Sequence, residues 1–175
     1  MRKIIYLLAG IIVISNVIWG SVFLTRNSSQ AESIKDVQIY TLKGTGRLWE
    51  AADYKVIISP AKIMRGHGSL AYKGDPKEIE NSTYYKIEIQ ELNPNGHYES
   101  VYVNEASSHG GPINILSNLN DIGSITGDYA DNERLKDRHN YGSSVLTITW
   151  NDNDGELHSE TINLNMAAEI ILSED

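Results

Sequence analysis

The sequence predicts an all-β domain, an antiparallel β-sandwich, preceded by one N-terminal transmembrane helix. Three observations predict it. Residues 4–24, IIYLLAGIIVISNVIWGSVFL, carry no charged side chain. After them, apolar residues recur with period two in short runs punctuated by Gly, Asn, Asp and Pro. No 3.6-residue amphipathic pattern of helix length follows the first run.

The apolar run comes first. A helix rises about 1.5 Å per residue, so about 20 apolar residues cross the roughly 30 Å hydrocarbon core of a bilayer. Arg2, Lys3 and the amino terminus precede the run and Arg26 closes it. That distribution holds the amino terminus in the cytoplasm and sends the rest of the chain across. The expected division is therefore a membrane anchor or signal segment over 1–26, a polar stalk over 27–36, and an extracytoplasmic β-sandwich domain over 37–175. The expected partner of residues 4–24 is the lipid bilayer. Ser29-Gln30-Ala31 offers a small-residue cleavage site, so secretion after cleavage is the alternative. Against it, the run is longer than a usual signal core, and Arg26 stands between run and site. The chain has no cysteine, which excludes a lipid-modified amino terminus and any disulfide.

The 149 residues beyond Arg26 are the size of one domain and can bury a real core. They hold all 23 acidic residues and 12 of the 15 basic ones, a formal charge of −11. That balance argues against nucleic acid as a partner and against direct docking on anionic lipid.

The strands follow in order. Val37–Leu42 alternates, and Gly44-Thr45-Gly46 bends the chain. Leu48, Trp49, Tyr54, Val56 and Ile58 supply either one further strand or two, ended by Pro60. Gly66-His67-Gly68 precedes a short strand over Ser69–Lys73, and Gly74-Asp75-Pro76 is turn chemistry. Tyr84–Glu91 alternates most cleanly, with Tyr85, Ile87 and Ile89 on one face and Lys86, Glu88 and Gln90 on the other. Asn93-Pro94-Asn95-Gly96 reads as a hairpin loop into His97–Val103. Ile113–Ile125 is expected to be a strand pair between two long polar stretches, 104–112 and 128–143. Val145–Trp150 and Glu156–Leu164 form a second hairpin, and Met166–Leu172 reads as either a last strand or a helical turn. Some eight short strands of this kind indicate an Ig-like sandwich with Trp49 and Trp150 in its core; a barrel is the alternative.

Three segments carry a resemblance: Gly44-Thr45-Gly46-Arg47-Leu48-Trp49-Glu50 with Tyr54-Lys55-Val56; Gly68–Asp75 with Tyr85–Glu88; and Leu146–Asn151 with Glu160–Leu164. Together they resemble small membrane-anchored or lipoprotein-like β-sandwich domain proteins of Gram-positive, Bacillus-type bacteria. The resemblance implies a location and a fold and no activity. The long insert at 128–143 departs from it.

Candidate sites are few. Asn151-Asp152-Asn153-Asp154-Gly155-Glu156 has the oxygen-rich spacing of a calcium loop fragment, but Thr161 and Ile162 stand where that loop needs its Glu. Asp-Gly between alternating strands is a hairpin signature, so it reads as a turn. Asp128, Asp131, Asn132 and Glu133 form an acidic group balanced at once by Arg134, Lys136 and Arg138, and read as a solvated loop. His67, His97, His109, His139 and His158 show no local metal spacing, and His158 reads as an ordinary sheet-surface residue. Ser107-Ser108-His109-Gly110-Gly111 sets a nucleophile beside a base without an elbow motif. Gly44-Thr45-Gly46 lacks the rest of a nucleotide fingerprint. Ten tyrosines can stack on sugar rings and can equally fill a core.

No residue is therefore assigned a catalytic, cofactor-binding or metal role. The expected function is a membrane-anchored extracytoplasmic interaction or structural module of the cell envelope, with an envelope protein or wall polymer as partner. The alternative is an exported hydrolase or metal-dependent enzyme built from loops around His67, His109 and Asp131.

Overall fold

The computed structural model describes residues 36–130 and 133–173. The apolar run of 4–24, the stalk up to residue 35 and Ser29-Gln30-Ala31 lie outside the described residues, as do Asp131 and Asn132. Among the described residues no helix is long and apolar enough to cross a membrane.

Ten strands form two antiparallel sheets. In the first, β10 (Asn165–Leu172), β1 (Val37–Thr45), β2 (Trp49–Ile58), β3 (Ile63–Gly66) and β7 (Ser124–Gly127) lie side by side in that order. β4 (Ser69–Tyr72) pairs with the first half of β2, and β3 with its second half. The second sheet runs β6 (Tyr98–Ser107), β5 (Tyr84–Leu92), β8 (Val145–Asn151), β9 (Leu157–Asn163). The first four residues of β2 thus face one partner and the last four another. The chain makes the switch at Gly66 (φ 134°) and His67 (φ 55°). A Cβ at Gly66 would strike the backbone of Gly123 and Ser124.

The period-two residues do what their spacing demands. Leu42, Trp49, Tyr54 and Val56 of the first sheet and Ile87, Ile89, Leu146 and Ile148 of the second are almost wholly buried in one apolar core. Each aliphatic side chain buried this way contributes about 1.5–3 kcal/mol. Trp49 and Trp150 meet edge to face across the core, their rings 5.6 Å apart. The described residues therefore form a two-sheet β-sandwich with Trp49 and Trp150 inside.

Three stretches depart from the sequence expectation. Ile113–Ile125 is not a strand pair. It holds the one-turn helix α1 (Ile115–Asn118), and only its end joins β7. The Asn114 side chain accepts a hydrogen bond from the Ser117 N–H at 3.0 Å and caps that turn. Ile115, Leu119 and Ile122 are buried, and their spacing of four and three is helical rather than two-fold. The tail, left open between strand and helical turn, is the edge strand β10. Within 128–143 the described residues form a 3-10 turn (Glu133–Leu135) and the helix α2 (Arg138–Gly142), which buries Tyr141 against Tyr40. Asp137 and Asn140 close α2 with a reciprocal capping box.

Candidate functional site

Two places on the fold gather chemically active side chains. The first is a cavity of about 570 Å³ where the β1–β2 turn, the β4–β5 connection and the β8–β9 turn meet. Arg47, Tyr72, Lys77, Glu78, Asp152 and His158 are among its lining residues, over a floor that includes Trp150. Its aromatic wall is layered. Tyr72 lies 4.9 Å from Trp49, and the His158 ring stacks on Trp150 at 5.5 Å and 28°.

The β8–β9 turn shapes one rim. Asp152 accepts the Asp154 and Glu156 backbone N–H groups at 3.0 and 2.9 Å, and Gly155 (φ 81°) supplies the left-handed corner. The other carboxylate oxygen of Asp152 lies 2.8 Å from His158 Nε2. That bond, followed by the two backbone donors, holds the Asp152 carboxyl below its usual range. The segment is the hairpin turn that its Asp-Gly signature predicts. His158 differs from its expected role: it is half-buried, packed on Trp150 and bonded to Asp152, because it lies on the inward face of β9, in register with Trp150 and beside that turn. Asp152, Glu156 and His158 bring one ligand atom each to within 4.8 Å of one another. They are the one group of this kind among the described residues, but one Asp152 oxygen is already engaged by the turn's backbone and the other by His158.

Glu160, two residues further along β9 and on the same face, ties the two sheets together beside the cavity. Its carboxylate accepts the Leu48 N–H at 2.9 Å, the Trp49 N–H at 3.1 Å and the Arg47 N–H. Gly46 makes room for it, since a Cβ there would lie 2.5 Å from Glu160 Oε1.

The second place is a buried ion cluster between the sheets. Arg65 on β3 donates to both oxygens of Glu91 on β5 at 2.6 and 2.7 Å, and to Glu133. Lys136 Nζ donates to Glu91 at 2.8 Å and lies 3.2 Å from Glu133. The Tyr141 hydroxyl donates to Glu133 at 3.3 Å. Glu91 has no exposed surface at all. Burial pushes its carboxyl up, yet the Arg65 and Lys136 contacts outweigh this and leave it below the usual glutamate range. Burial, with Glu133 and Glu91 nearby, pushes the Tyr141 hydroxyl far above its usual value. Near Glu91 and Arg65, the Tyr54 hydroxyl on β2 is buried without a protein partner, as is Trp49 Nε1. Two positive and two negative charges, paired and multiply bonded, make a structural lock and present no reacting atom to solvent.

This cluster overturns the reading of Glu133 and Lys136 as members of a solvated loop. The signal was in the alternation: continuing Tyr85, Ile87, Ile89 by one step puts Glu91 on the inward face, and Ile63-Met64-Arg65 puts Arg65 there too. Inward charges on strands require partners, and the only nearby supply is a charged connection.

The remaining candidates do not converge. His67 lies 3.4 Å from Asp121 on an exposed loop. Ser108 donates its backbone N–H to Thr83 and accepts one from Gly110, with no bond to His109. Among the described residues no hydrogen bond or metal-ligating group joins His67 to His109. The third member of that set, Asp131, lies outside the described residues. Gly44-Thr45-Gly46 is the β1–β2 bend.

Comparison with protein-family models, curated proteins and solved structures returns no match.

Proposed function

We propose that this chain is a membrane-anchored, Ig-like β-domain of the cell envelope that works as a binding or structural module on the far side of the bilayer. The observation that carries the reading is one of placement. The polar stalk joins the domain at Val37, while the cavity is lined by Arg47 and Leu48, just beyond the far end of β1. Nine strand residues separate the two by roughly 27 Å. The cavity thus lies at the far end of β1 from Val37, a position that suits a module tethered through the residues ahead of it. The uncharged run of 4–24 with Arg2 and Lys3 ahead of it supports the tether. The resemblance to small anchored β-domain proteins of Bacillus-type bacteria agrees with it. The loop-built hydrolase draws no support from the geometry of His67 and His109.

Fractionation of cells expressing the full chain tests the proposal. The expected result is intact chain in the membrane fraction, degraded when protease is added to protoplasts. Intact chain in the cytosol, or protection from external protease, refutes it.

A further inference from the structure

Sandwiches expose the outer edges of their sheets, and an edge strand offers unpaired N–H and C=O groups to any other strand. Four of the five outer edges here are guarded, β4 by being only four residues long. β7 is only four residues long. β6 carries Glu99 and Glu105 and a register shift opposite Ile89/Gln90. β9 carries Glu160 and the turn-bonded His158. β10 differs. A register shift opposite Thr41/Leu42 disrupts its first half, but Ala168–Leu172 then pairs with β1 without interruption. No proline or lysine interrupts this stretch. Its one charge, Glu169, is paired with Arg138 at 2.6 Å. Ile170, Ile171 and Leu172 are each about half exposed, at 49, 54 and 53 %. Among the described residues no backbone hydrogen bond links the edge to anything but β1.

The apolar character continues behind the edge. Ile170 pairs with Ile39, Ile39 with Ile57, and Ile57 with Met64. Their chain neighbours Tyr40, Val56, Ile58, Ile63 and Arg65 point into the core, so these four side chains form a stripe on the outer face of the sheet.

We propose that a second copy of this chain occupies this edge, with Ala168–Leu172 of two copies pairing antiparallel about a two-fold axis. The choice of occupant rests on self-complementarity and charge. An antiparallel edge turned through a two-fold rotation matches its own pattern of donors and acceptors. The chain as a whole carries −8, so two copies repel over most of their surfaces. Within Ala168–Leu172 the single carboxylate, Glu169, is neutralised by Arg138 of its own copy, and Glu174 and Asp175 follow only beyond that stretch. Registers that set Glu169 against itself are disfavoured, which centres the contact on Ile170 and Ile171 and joins the two outer stripes into one. The contact is narrow, so the dimer is concentration-dependent; confinement of tethered copies to a membrane plane raises their effective concentration.

The test uses the full chain, which has no cysteine of its own. Ile170→Cys and Ile171→Cys are oxidised in membranes or detergent, with Thr161→Cys on β9 as the exposed control. The expected result is a disulfide-linked band at twice the 19.5 kDa chain mass for at least one β10 variant and none for the control. Ile170→Lys places a charge on an exposed position, so the fold is retained, read as an unchanged melting temperature; the dimer is expected to be lost in sedimentation. A control that cross-links as readily overturns the proposal, as does a native chain that stays single at every concentration. So does a dimer that survives Ile170→Lys, which would point to residues 4–24 as the contact, or capture of a different protein at position 170. The proposal does not rest on the tether: a chain found secreted is tested in the same way from the supernatant.

Discussion

Glu91 shows what a single residue does in this molecule. It stands at an inward position of β5 with two cations on its oxygens, and its charge is kept because those cations are there. Replacing it with Gln leaves Arg65 and Lys136 buried with Glu133 as their one remaining anion. The expected cost of Glu91→Gln is about 3–5 kcal/mol at neutral pH, measured by urea denaturation. The pH dependence follows in sign. The folded-state carboxyl lies below the ordinary glutamate value of 4.5, so its contribution is fully present above that value and is lost as pH falls through the folded value. Acid titration of stability should therefore fall less steeply below about pH 4.5 in Glu91→Gln than in the native chain. The residue-level chemistry was partly legible in advance. The Asp-Gly turn at 154–155 was readable because its signature is local. The Arg65–Glu91–Glu133–Lys136 cluster was not, because Arg65 finds its two carboxylates 26 and 68 positions away and a charge at the end of an alternating run reads as the end of the run.

At the scale of elements, the connections carry more than their composition promises. The segment 133–141 is polar, yet it inserts Tyr141 beside Tyr40, with ring centroids 5.4 Å apart, and feeds two charges to the core. Tyr141→Ala is expected to cost about 3–5 kcal/mol, the range of a buried aromatic removed. Tyr141→Phe keeps the packing and should cost about 0.5–1.5 kcal/mol, the worth of one hydrogen bond. A solvated loop would show neither effect in thermal or urea denaturation. The β1–β2 turn depends in a similar way on a side chain from the other sheet. Glu160→Ala removes the acceptor shared by the backbone donors of residues 47–49 and is expected to cost about 1–3 kcal/mol. Mobility measured by amide exchange should rise at Leu48 and Trp49 and remain unchanged at β5. The strands themselves were legible because period two is a physical demand of a half-buried sheet. The turn α1 was missed because its buried residues recur at helical spacing over too few residues to register as a helix.

For the whole molecule, the two-sheet sandwich was readable from alternation and turn chemistry. The order of strands was not. Nothing local says that the last strand returns to lie beside the first, or that β2 divides its length between β3 and β4. Those neighbours are chosen by which apolar faces remain uncovered once the hairpins have formed, and that is a property of the assembled layers. The location of the molecule rests on the segment ahead of the domain. Fractionation and protoplast proteolysis address that question independently of the pairing of β10.

The pairing of first strand with last has a mechanical meaning. Val37 lies opposite Leu172, so the two extremities of the folded body leave from the same corner of one ladder. A load applied between the segment ahead of Val37 and anything grasping the chain beyond Leu172 acts across the strands. The ladder bonds then rupture in sequence, as a zip does, instead of sharing the strain. A body strung this way yields at low force from its ends, while a pull delivered through the distant β8–β9 turn must work against the packed layers.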